Sequence, residues 1–165
     1  MGLWQVVNMA MRGLAFLWAL LIMALCGNII ARNTTSSIIN YDLFVSIWGM
    51  LTLLYLLPAS IKESFSIHPV LPLVLDVLNV IFWFCGAVAT AAELHVHSCS
   101  NSAYVNSNRV TRVSSETCRE AQASTAFLWF GFASFAFSLI VSGLGMGGSS
   151  APRGGVRRGP AMSQV

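Results

Sequence analysis

Charge is scarce in this chain. Only 9% of its 165 residues are charged, where a soluble domain carries about a quarter, so a water-facing surface could not be covered. Dense basic runs are missing as well. The lysine and arginine residues are scattered apart from Arg153, Arg157 and Arg158 near the C-terminus, which excludes the basic stripe of a nucleic-acid binder. Cysteine is sparse, and none of the four forms a CxxC pair, so dithiol redox chemistry is not expected. No Ser/His/Asp arrangement, phosphate loop or paired-carboxylate site stands in a suitable place. An enzyme is therefore not expected, and no cofactor is called for.

What the chain has instead is apolar sequence, 56% of it, and it comes in blocks. A helix that is hydrophobic all round belongs in lipid or in a large core, and a chain this short cannot build such a core. A bilayer core needs about 20 apolar residues per helix. Four stretches meet that length, 13–31, 43–61, 70–94 and 121–144. The expected fold is an all-α, four-helix membrane bundle over residues 1–144, with an outer loop at 95–120. From Gly145 the composition turns to Gly, Ser, Pro and Arg. That composition cannot pack a core, so residues 145–165 read as a disordered tail. The first apolar run continues past Ala24-Leu25-Cys26, a poor cleavage site, and reads as a retained helix. Val6 stands where a myristoylation signal needs Ser or Thr.

The positive-inside count is nearly balanced. Two features place loops 32–42 and 95–120 outside and both termini in the cytoplasm. Asn33-Thr34-Thr35 is an N-glycosylation sequon, usable only on the lumenal side. Cys99 and Cys118 share one loop, and disulfides persist in oxidising compartments. Their pairing would close a loop of about 20 residues and stabilise by about 3 kcal/mol in the chain-entropy model. Cys26 and Cys85 lie in apolar runs and read as packing residues. His95, His97 and Cys99 alternate in the manner of a metal site, but an oxidised Cys99 offers no thiolate, and no metal is expected.

Asp76 is the acid inside a predicted membrane helix. Insertion scales make an Asp at the helix centre unfavourable by about 2.5–3.5 kcal/mol, and less towards an end. It opens a face continued by Asn79, Trp83, Gly86 and Thr90, spaced by three or four, which is expected to look inward. Asp76 and Asn79 form the candidate polar site, as a hydrogen-bond anchor between helices or as a headgroup or ion site. Gly86 and Thr90, with Gly131, Ser134, Ser138 and Ser142 on the fourth helix, supply small side chains for close helix approach. Phe130, Phe132, Phe135 and Phe137 are expected to face lipid. The closing Ser163-Gln164-Val165 has the form of a PDZ ligand, a weak signal at three residues.

From Ala92 to Ala126 the sequence becomes familiar: His97-Ser98-Cys99, Asn101-Ser102, Tyr104-Val105, Asn108, Thr117-Cys118-Arg119 and Ala121-Gln122-Ala123. With Pro72-Leu73-Val74-Leu75-Asp76, Asn79 and Phe82, this run resembles the fungal non-classical export protein family, a branch of the MARVEL-domain proteins. The resemblance covers nearly the whole chain and is strongest over residues 70–126. The family's loop cysteines map to Cys99 and Cys118, and its third-helix acid maps to Asp76. The resemblance implies a plasma-membrane protein of eisosomes, furrow-like membrane domains, that helps organise them, responds to sphingolipid status and is linked to unconventional secretion. The implied partners are membrane lipids, sphingolipids among them, eisosome coat proteins and a second copy of the chain. Arg153, Arg157 and Arg158 would meet anionic inner-leaflet lipids at about 1 kcal/mol each. The alternative is a small oligomeric transporter or channel using the polar face of the third helix.

Overall fold

The computed structural model describes residues 3–32, 36–61, 70–95, 97–112 and 114–149. Asn33, Arg153, Arg157, Arg158 and the terminal Ser163-Gln164-Val165 lie outside the described residues. There are four long helices, α1 (Leu3–Ala31), α2 (Ser37–Ile61), α3 (Leu71–Leu94) and α5 (Ser115–Ser149), and the loop between α3 and α5 carries one short helix, α4 (Ser102–Ser107). All four long helices are long and apolar enough to cross a membrane.

Three of the four long helices extend beyond their apolar runs, while α3 keeps to its own. α1 starts ten residues before Gly13 and α5 starts six before Ala121. α5 also runs five residues into the segment expected to be a disordered tail. The reason is common to the three: hydropathy ends where charge begins, whereas a helix once nucleated extends at little further cost. At about 1.5 Å per residue the 29 residues of α1 measure about 43 Å, more than the roughly 30 Å of a bilayer core.

Each long helix buries one narrow stripe. On α1 it is Arg12, Ala15, Ala19, Ile22, Cys26 and Ile29. On α3 it is Asp76, Asn79, Trp83, Gly86, Thr90 and Leu94, with Ala87 beside it. The spacing is three or four throughout, which keeps a seam facing its neighbours along a helix. α1 packs on α2 and α5, and α3 packs on the same two helices, so α1 and α3 lie across a diagonal. Apolar side chains such as Leu17, Phe44, Leu51, Val74, Ile81 and Ile140 point outward. Lipid supplies no hydrophobic drive for helices to associate, so packing and interhelical hydrogen bonds must hold the bundle together.

Candidate functional site

The polar groups of the bundle form a seam along its interior. At the end where α1 and α3 begin, Arg12 Nη2 donates to Asp76 Oδ2 at 2.7 Å. Both side chains are buried, 2% and 0% exposed. The pair spans the diagonal, joining the two helices that do not pack on each other. Ser142 of α5 donates to the same carboxylate oxygen at 3.3 Å and lies 3.5 Å from Arg12 Nη2. A carboxylate in low dielectric is tolerable only with such a partner. Arg12 Nε and Nη1 and Asp76 Oδ1 remain without a hydrogen-bond partner among the described residues.

Further along the seam, Asn79 donates from Nδ2 to Thr52 Oγ1 at 2.9 Å and to the Leu75 carbonyl at 2.9 Å. Beyond it the seam is interrupted by Trp83. Its indole is wholly buried and packs against Phe135, with ring centroids 5.4 Å apart. It lies on two glycines. A Cβ at Gly131 would come within 1.9 Å of the ring, and one at Gly49 within 3.1 Å. Past Trp83, Thr90 Oγ1 lies 2.6 Å from Asp42 Oδ2 and 2.9 Å from the Gly86 carbonyl. A Cβ at Gly86 would meet Asp42 Oδ1 at 2.9 Å, so the small residue makes room for the acid.

The loop end is held differently. Cys99 and Cys118 are joined, with their Cα atoms 5.7 Å apart, while Cys26 and Cys85 are free. Asn101 caps α4 by accepting from Ala103 N at 3.1 Å and Tyr104 N at 3.4 Å. Asn108 donates to the Glu93 carbonyl at 2.7 Å and accepts from Val110 N at 2.8 Å. The Tyr104 hydroxyl donates to the Leu94 carbonyl at the end of α3. Burial, followed by the charge of Glu93, pushes this phenol above its ordinary range. Arg32 donates to Glu116 at 2.7 Å and lies 3.8 Å from Glu120, which also accepts from Asn28 at 2.6 Å. The hydrogen bond to Glu116 holds the Arg32 guanidinium above its ordinary value.

The structure thus brings Asp76, Asn79, Gly86 and Thr90 onto one buried face of α3, opposed by Gly131, Ser134, Ser138 and Ser142 of α5. Ser134 donates to its own helix at Phe130, at 2.9 Å. Phe130 is exposed, but Phe135 is buried against Trp83, contrary to its expected place on lipid. Phe135 lies four residues after Gly131, on the same side of the helix. Two charged residues were missed. Arg12 and Asp42 each sit one position outside the apolar runs 13–31 and 43–61, yet both turn into the seam. Arg12 lies three residues before Ala15 and Asp42 three after Ile39, so helical spacing continued outward could have found them. His95 and His97 make ring contact at 6.4 Å, and among the described residues no group of three His, Cys, Asp or Glu could hold a metal.

Residues 5–141 match the MARVEL family, described as a membrane-associating domain. The chain is 34% identical over 134 residues to non-classical export protein 2 of Saccharomyces cerevisiae, covering 80% of this chain and 77% of that one. It is 38% identical over 168 residues to non-classical export protein 102 of Candida albicans, covering 96% and 97%. A homologue in Schizosaccharomyces pombe is 27% identical over 124 residues, covering 73% and 68%. No solved structure matches the chain. Four apolar spanning helices around a buried polar seam, matched along most of their length to these relatives, place this multi-pass membrane protein in the MARVEL membrane-associating family, among the fungal non-classical export proteins.

Proposed function

We propose that the chain is a non-enzymatic organiser of a plasma-membrane microdomain, the eisosome, that responds to sphingolipid status and serves unconventional protein secretion. The observation that carries this reading is the division between surface and interior. The lipid-facing shell is apolar along all four helices, while the polar groups are tied to one another inside. A protein built this way acts through its lipid surface and its two ends. The names of the relatives, non-classical export proteins, support the link to secretion. Both termini are cytoplasmic in this reading, with the disulfide-bonded loop outside, where oxidising conditions keep it closed. Arg153, Arg157 and Arg158 then face anionic inner-leaflet lipid, within reach of eisosome coat proteins and of a second copy of the chain.

A transporter or channel would need a continuous polar path. Trp83, pressed between Gly49 and Gly131, separates the Arg12–Asp76–Asn79 groups from Asp42 and Thr90, which favours the organiser. The test is imaging of a tagged copy in living fungal cells, with sphingolipid synthesis running and then blocked. A clustered plasma-membrane signal that redistributes on the block is expected. An evenly dispersed signal under both conditions refutes the reading.

A further inference from the structure

The end of the bundle where α1 begins carries two adjoining cavities that share Gln5, Asn8 and Ser142 as lining. One, about 300 Å³, is lined mostly by polar residues and reaches Arg12, with Ser60 and Pro72 also in its wall. The other is an apolar groove of about 650 Å³ between α1 and α5, walled by Trp4, Phe137, Ile140 and Leu144. We propose that the two together hold one glycerophospholipid of the cytoplasmic leaflet, its phosphate at Arg12 and one acyl chain along the groove. The proposal rests on the membrane-organiser reading and gives it a molecular site.

Arg12 is the group that selects an anion. It is 2% exposed and lines the polar cavity. Asp76 takes only Nη2, and Nη1 and Nε have no partner among the described residues. A guanidinium is permanently charged and matches phosphate oxygens in geometry. No acidic side chain stands among the described lining residues of this cavity, and Asp76 is not one of them. An oxygen ligand there meets amides, hydroxyls and the arginine. Depth agrees. Arg12 lies nine residues into a helix that exceeds the bilayer core by about 13 Å, so it stands near the headgroup boundary. Asn8 Oδ1 is likewise buried and unpartnered on the shared wall, an acceptor for a headgroup hydroxyl or ammonium. The apolar groove opens from that wall, where a phosphate alone would have no use for it.

Native mass spectrometry of the full chain, released from phosphatidylcholine vesicles containing phosphatidylserine, tests this. One retained phospholipid per chain is expected. Diacylglycerol of the same chains, which lacks the phosphate, should not be retained, and soluble glycerol phosphate, which lacks the chains, should not displace the bound lipid. Ile140→Trp fills the groove from the lipid side without touching the seam. Arg12→Met with Asp76→Leu removes both charges at similar volume, so folding does not depend on an unpaired ion. Each should lower retention at least about tenfold, as loss of one charge-assisted hydrogen bond or its apolar equivalent would. Equal retention in the wild type and both variants overturns the site, as does equal retention of diacylglycerol. A wild-type dimer without lipid that Ile140→Trp dissolves assigns the groove to a second copy and also overturns it. A chain that holds no lipid but clusters normally in cells refutes this site alone, whereas one that holds lipid and never clusters refutes the organiser reading.

Discussion

The two ends of the bundle carry the same chemical pair in opposite surroundings. Arg12 meets Asp76 at 2.7 Å with both side chains buried. Arg32 meets Glu116 at 2.7 Å, 35% and 70% exposed. Geometry alone would rank them equal. At the Arg32 end water and salt compete with the contact, so an exposed pair contributes little. At the Arg12 end both side chains are withdrawn from water, and each charge depends on the other. The loop end replaces that dependence with a covalent bond and a set of asparagine and tyrosine contacts to backbone carbonyls. One end is therefore committed to a charged interior, and the other is a clamp open to solvent.

The sharpest way to break this comparison is to remove half of the buried pair. Asp76→Leu should destabilise the bundle by about 3–5 kcal/mol, because Arg12 is left charged and unpaired. Arg12→Met with Asp76→Leu should recover most of that loss. A double-mutant cycle from unfolding in mixed micelles reads both, and additive losses would contradict the pairing. The next largest effect belongs to the loop end. Cys99→Ser should cost about 3 kcal/mol in the chain-entropy model and raise hydrogen exchange over residues 97–112, and a reductant should reproduce it in the wild type. Exchange confined to α1 would contradict the clamp.

Between the ends, Gly131→Ala should cost about 1–3 kcal/mol by overpacking against Trp83, read as a lower thermal midpoint. Gly143→Ala, where a Cβ meets nothing within 4 Å, should leave it unchanged. Arg32→Gln should have the smallest effect, a slight loss at low salt that vanishes at high salt. The same end has its own pH signature. Tyr104 is pushed up by burial, so the folded chain holds this proton more tightly than the unfolded one. Its contribution is complete below the ordinary tyrosine range and is lost as pH rises through the raised value. Tyrosinate absorbance that appears only at higher pH than in a Tyr104→Phe comparison of the remaining tyrosines would support that sign.

Much of this arrangement is legible in the residues. The spacing of Asp76, Asn79, Trp83, Gly86 and Thr90 marks one face of α3 because side-chain direction repeats with the helical turn, and those residues lie together in the interior. Pairing across helices is less legible. Helical spacing can put Arg12 on the buried stripe of α1, but nothing local names its partner 64 positions away, since an arginine at the edge of an apolar run reaches water as readily as a partner. Asp42 is the same case, hidden because hydropathy stops at it and the helix does not. Phe135 reads as lipid-facing on composition. Only the gap left by Gly131 beneath Trp83 draws it inward, and that gap belongs to two helices at once.

The organiser proposal and the lipid site proposed at Arg12 meet in one expectation, that the buried Arg12–Asp76 end of the bundle shapes lateral organisation in the membrane apart from any role in folding. The most direct measurement is the distribution of a tagged Arg12→Met, Asp76→Leu chain at the surface of living fungal cells, beside its steady-state level. The account predicts a clustered signal for the wild type and, for the variant, normal levels, correct insertion and a dispersed signal. Wild-type clustering in that variant at normal levels would contradict it.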